Sequence, residues 1–198
     1  MKNNFYRPNN VDFNEFGKII RDLKESFAEL SSGNYKTDDL QDFVIKIIED
    51  QDNDGFWGLI NPNKVPSEAR IDYFYMPTYY STAILIKFLL DYPDKANEIN
   101  DFRVCLEKGL KASAGRGLKG HGYDEISGVV EAMKIFCSAG LAQFIKQYPD
   151  LCPEFTIMIT AIVDFVKKSL EEGNTRGAWD EDYNQGFTFI QDQFPEEK

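Results

Sequence analysis

The sequence predicts an all-α fold built from three helical hairpins, and three observations carry that prediction. Apolar residues recur at helical spacing, as at Leu40, Phe43, Val44, Ile47 and Ile48, which gathers them on one face of a helix. Strand-type alternation bounded by hairpin turns is missing, apart from the ambiguous segment "RIDYFYM". The chain also matches itself at helix-like segments, the mark of a repeated supersecondary unit.

Shifted by 122 residues, "DFVIKIIEDQDNDGFW" (42–57) falls on "DFVKKSLEEGNTRGAW" (164–179) without a gap. Asp42/Asp164, Phe43/Phe165, Val44/Val166, Lys46/Lys168, Glu49/Glu171, Gly55/Gly177 and Trp57/Trp179 are identical, where about one identity is expected by chance. The chain has only two tryptophans, and both take part. A second match, at an offset of 56, lays "TAILIKFLLDYPD" (82–94) on "SAGLAQFIKQYPD" (138–150). A third Asp-Phe pair at 101–102 falls between the others, so the markers at 42, 101 and 164 suggest a period of about sixty residues. The expected units are 11–60, 77–124 and 125–183, with a tail over 184–198, all within a single helical domain, 1–198.

Element by element, a first helix is expected over about 11–31, "VDFNEFGKIIRDLKESFAEL". Thr37 is the expected N-cap of the second helix, and Gly55 the break beyond its end. Pro77 suits the first turn of "PTYYSTAILIKFLLDY", which Pro93 ends. "EISGVVEAMKIFCSAGLAQFIKQY" reads as one helix up to Pro149, weakened or bent at Gly128 and Gly140. Pro153 starts "PEFTIMITAIVDFVKKSLEE", and the tail "DYNQGFTFIQDQF" can add a seventh, short helix. The Gly-x-Trp loops should then gather at one rim and the Tyr-Pro-Asp turns at the other.

A length of 198 residues with 42% apolar and 14% aromatic side chains supplies ample core. The net charge of −11 argues against nucleic acid or an anionic membrane surface as partner, since both would repel it. Cys105, Cys137 and Cys152 form no metal-type or redox-type pair and read as small hydrophobes in a reducing, cytoplasmic setting. The N-terminus lacks the apolar core of a signal peptide, and the greasiest stretch, "AILIKFLL", is too short to span a bilayer.

The stretch "QDNDGFW", with Gln51, Gly55 and Trp57, resembles the Q-x-x-x-G-x-W element of the terpenoid cyclase and prenyltransferase superfamily. That resemblance implies helical hairpins set around an axis, knitted at helix ends by the glutamine and tryptophan, and so a partial α/α-toroid-like arrangement here. In the aligned copy Gly173 replaces the glutamine, and the middle copy "AGRGLKGHGYD" has neither residue. Three hairpins cannot close the ring that about six form in the family; a homodimer could complete a larger enclosure. The cyclases' D-x-D-D motif has no counterpart, because "DED" at 180–182 is followed by Tyr183, and no zinc-ligand set is found. The resemblance therefore carries architecture and no catalytic residue.

Asp50, Asp52, Asp54 and Gly55 match the opening of an EF-hand loop, but its final bidentate glutamate is Asn61, and two prolines replace the exiting helix. No metal site and no cofactor motif is expected. His121, the lone histidine, lies between glycines in "GLKGHGYDE"; its plain reading is a loop residue, its functional one an acid or base near neutral pH. Asp180, Glu181 and Asp182 read plainly as an acidic cap on the following helix.

If the repeat holds, residues of all three hairpins reach one rim. Asp180, Asp182 and His121 are then the candidate catalytic groups, and Trp57, Tyr123, Asp124, Trp179 and Tyr183 the candidate substrate-binding wall. Arg116 and Arg176 near that rim could instead neutralise the acids. The expected function is a ligand-binding or protein-interaction module, taking an unknown protein or small molecule through this rim or an exposed helical face. The alternative is a toroid-type enzyme, a cyclase, lyase or glycan-active protein.

Overall fold

The structure, a computed structural model, describes residues 6–33, 37–69, 71–115, 118, 123–173 and 180–195; of residues 37, 38, 72, 123–126 and 180–183 it describes the backbone alone. The described residues are all-α, with helices and short 3-10 turns and no strand.

Helix α1 (Phe13–Ser31) begins where Asp12 caps it, its Oδ1 accepting from the backbone N–H of Asn14 at 2.8 Å and of Glu15 at 3.3 Å. Helix α2 (Thr37–Glu49) presents Leu40, Val44 and Ile47 to the core, as the spacing predicts. The ambiguous "RIDYFYM" contains a 3-10 turn, Asp72–Tyr75, that feeds directly into α3 (Met76–Asp91). Pro77 occupies the first turn of α3, where its missing N–H costs nothing.

Helix α3 is buried nearly all round, and Lys87 escapes only by reaching along its own helix to Asp91. It packs against helices from all three expected units. Its antiparallel partner is α5 (Phe102–Ser113): Phe88 meets Phe102, Thr82 meets Gly109 and Tyr75 meets Gly115, in opposite chain order. The short α4 (Pro93–Glu98) joins them. On another side Phe16 of α1 meets Phe74, just ahead of α3, and Phe27 meets Tyr80. On a third side lies α6 (Tyr123–Ser138), whose Phe136 meets Tyr79.

Both Tyr-Pro-Asp endings fold alike. Tyr92 closes α3 at φ −135°, ψ 56°, and Tyr148 closes α7 (Leu141–Gln147) at φ −131°, ψ 51°. Each donates its backbone N–H to the phenylalanine carbonyl four residues back, at 2.8 Å. Each also lays its ring on that phenylalanine, with centroids 5.5 Å apart for Phe88–Tyr92 and 5.7 Å for Phe144–Tyr148. The cause is local: a residue before proline avoids helical angles, and i, i+4 spacing brings the two rings together.

Three expectations need correcting. The single helix expected to weaken or bend at Gly128 and Gly140 runs through Gly128 but breaks at Ala139–Gly140 into α6 and α7, bent by 68°, with Gly140 left-handed at φ 90°. The Asp-Phe marker at 101 is not equivalent to the others: Asp101 precedes the first turn of α5 at φ 58°, whereas Asp42 and Asp164 lie inside helices. The helix expected of the tail is longer than a short one and begins before residue 184. It is α9 (Asp180–Gln193), which packs on both α6 and α8 (Pro153–Glu171), and those two helices meet chiefly through it. Among the described residues no single helix is long and apolar enough to cross a membrane.

Candidate functional site

The loop after α2 is the densest polar construction among the described residues. Asp52 Oδ1 accepts from the backbone N–H groups of Asp54 at 2.9 Å and Phe56 at 2.8 Å, and Asn61 Nδ2 donates to carboxylate oxygens of both Asp52 and Asp54 at 2.8 Å. The carboxylates that mimic an EF-hand thus fold the loop upon itself. Among the described residues no three His, Cys, Asp or Glu side chains gather as a metal site.

The loop then docks on α5. Gln51 Nε2 donates to the carbonyls of Cys105 at 2.9 Å and of its own loop's Gly55 at 3.3 Å. Trp57 Nε1 donates to Ile47 O at 2.7 Å, satisfying a carbonyl of the last turn of α2, one of those a helix cannot pair internally. The Trp57 backbone N–H donates to Thr78 Oγ1 at 3.2 Å. The indole lies against Gly109 so closely that a Cβ there would stand 2.9 Å from the ring. Gln51 and Trp57 therefore tie α2 to α3 and α5.

This placement revises one expected role. Trp57 was expected in a ligand-facing wall, but only 3% of it is exposed, and its surface is spent on neighbouring helices. The side chains of the other rim residues lie outside the described structure. His121, Trp179, Arg116 and Arg176 lie outside the described residues. Tyr123 and Asp124 fall on the first turn of α6, and Asp180, Asp182 and Tyr183 on the start of α9, with their side chains outside the description.

A different surface stands out on α8. Phe155, Ile159, Ile162, Val163 and Val166 take the core face. On the opposite face Ile157 is 70% exposed and Phe165 52% exposed, with exposed Ala161 midway between them. At i, i+4, i+8 spacing these three form one stripe. Phe187 of α9 borders it, 6.1 Å from Phe165 between ring centroids. Sequence reasoning allowed for an exposed helical face but did not pick out this one. The signal was available: α8 carries more apolar positions than one core-facing stripe uses.

The three thiols are free and buried. Desolvation pushes Cys105 and Cys137 up to about 12 from an ordinary 9.0. The sign follows from linkage: above pH 9 the unfolded chain loses thiol protons that the fold retains. Stability should fall as pH rises from 9 toward 12. Urea titrations of the wild type and of Cys105→Ala/Cys137→Ala over that range check this; an unchanged slope in the double variant would refute it.

Compared with known proteins, the chain matches no family model, no curated protein and no solved structure.

Proposed function

We propose that this chain is a protein-interaction module working through the outward face of α8. The observation that carries the reading is the stripe of Ile157, Ala161 and Phe165, apolar and exposed on a helix whose opposite face already fills the core. Full burial of a large apolar side chain is worth roughly 1.5–3 kcal/mol, so a partner covering Ile157 and Phe165 would gain the exposed part of that at each. The enzyme alternative rests on Asp180, Asp182 and His121, whose side chains lie outside the described residues, and no observation favours it.

Two finer readings accompany this one. A partial toroid-like arc is supported by the order of contacts. Phe16–Phe74 and Phe27–Tyr80 on one side of α3, and Tyr79–Phe136 and Leu90–Gly140 on the other, run in the same chain sense, as first helices of successive hairpins would. A cytoplasmic setting is supported by three cysteines that are all free.

A photo-crosslinking residue at position 161 tests the module in cells expressing the full chain, with position 97, exposed on α4, as control. The expected result is a discrete adduct from 161 that disappears with Ile157→Ser/Phe165→Ser. No adduct, or one indifferent to those substitutions, would refute the reading.

A further inference from the structure

We infer that the partner segment seated on α8 is a cationic amphipathic helix, a conclusion that rests on the interaction module proposed above. Three features of the face converge on that occupant. The first is shape. Ile157 and Phe165 stand two turns apart with small Ala161 between them, so the stripe has two ridges and a saddle. A side chain from a crossing helix fits such a saddle.

The second feature is charge. The same side of α8 carries Asp164, Glu171 and Glu172 and Lys168, which reaches Glu172 at 3.8 Å; Lys167 lies nearer the core face, and Glu154 at the other end lies in the field of Lys111 of α5. Glu171 and Glu172 stand at the C-terminal end of the helix, where the backbone dipole disfavours carboxylates. A partner presenting Lys or Arg beside its apolar anchors would relieve that repulsion and pair with Asp164. The chain as a whole, at −11, repels acidic partners and attracts basic ones over longer range.

The third feature is extent. Two large side chains, each half to two-thirds exposed, offer on the order of 200 Å² of apolar surface. A stable association of two copies needs about 800 Å² from each partner, and two copies would set the same acidic frames against each other. A single helix inserting two or three anchors matches the available area.

The test uses the full chain and three synthetic peptides of about 18 residues, long enough for five helical turns. One is an amphipathic leucine–lysine helix, the second has the same apolar face with glutamate for lysine, and the third is the lysine peptide scrambled to lose its apolar face. Binding is read by fluorescence anisotropy at physiological salt, where long-range attraction is largely screened. The expected result is saturable binding of the first peptide alone, weakened at least about tenfold by Ile157→Ser and by Asp164→Lys.

Equal binding of the scrambled peptide, or binding insensitive to Ile157→Ser, would reduce the effect to bulk charge and overturn the inference. So would failure of the lysine helix to bind. Sedimentation of the chain alone supplies a further check: a dimer that Ile157→Ser dissociates would make a second copy the occupant. Circular dichroism of both variants confirms that loss of binding is not loss of fold. If position 161 captures a partner but the lysine helix does not bind, the module stands and only its partner chemistry fails. If position 161 captures nothing, the module itself fails.

Discussion

Replacing Trp57 by alanine is expected to destabilise the fold by about 3–5 kcal/mol, a large share of the roughly 5–15 kcal/mol that holds a domain together. Two losses add. The indole is almost wholly buried between α2, α3 and α5, so alanine leaves a void the size of a bicyclic ring. Ile47 O also loses the donor that holds it at 2.7 Å. Trp57→Phe separates the two, because it keeps most of the apolar volume and deletes the donor; its cost should be about 1–2 kcal/mol. Urea denaturation measures both. A loss below about 1 kcal/mol for Trp57→Ala would show that the loop is not the joint described.

Gly55→Ala is expected to cost about 2–5 kcal/mol, from backbone conformation and close approach together. Gly55 is left-handed at φ 91°, which charges an L-residue roughly 1–2 kcal/mol. A methyl group there would also stand 2.5 Å from Lys108 O, forcing the loop off α5 at a further cost of about 1–3 kcal/mol. Gly173 supplies the control: it is left-handed too, at φ 58°, but a methyl group would meet nothing within 4 Å. Gly173→Ala should therefore show the conformational part only. Equal losses at the two sites would remove the close approach to α5 from the explanation.

Much of this architecture was legible in particular residues. Pro77 and Pro153 announced helix starts because the missing proline N–H is a local effect. The twin Tyr-Pro-Asp endings predicted equal shapes and have them, down to the ring pair, because sequence neighbours alone determine that geometry. The helical parts of the longer match also agree: Glu49 and Glu171 are each the last residue of their helices, and Val44 and Val166 are both buried. The Asp-Phe pair at 101 misled because two residues do not carry a helical phase. Trp57 was placed in a ligand-facing wall for a related reason. A tryptophan beside carboxylates looks the same in sequence whether it lines a site or fills a joint.

By itself the sequence determined the helical class, most helix ends and the link between Gln51, Gly55 and Trp57, all products of interactions within a few turns of chain. Only the tertiary structure decided that Trp57 is buried, that α9 fills the space between α6 and α8, and which apolar residues of α8 remain outside. Burial is a property of what stands opposite a side chain, and for Ile157 and Phe165 no nearby stretch of sequence says what that is.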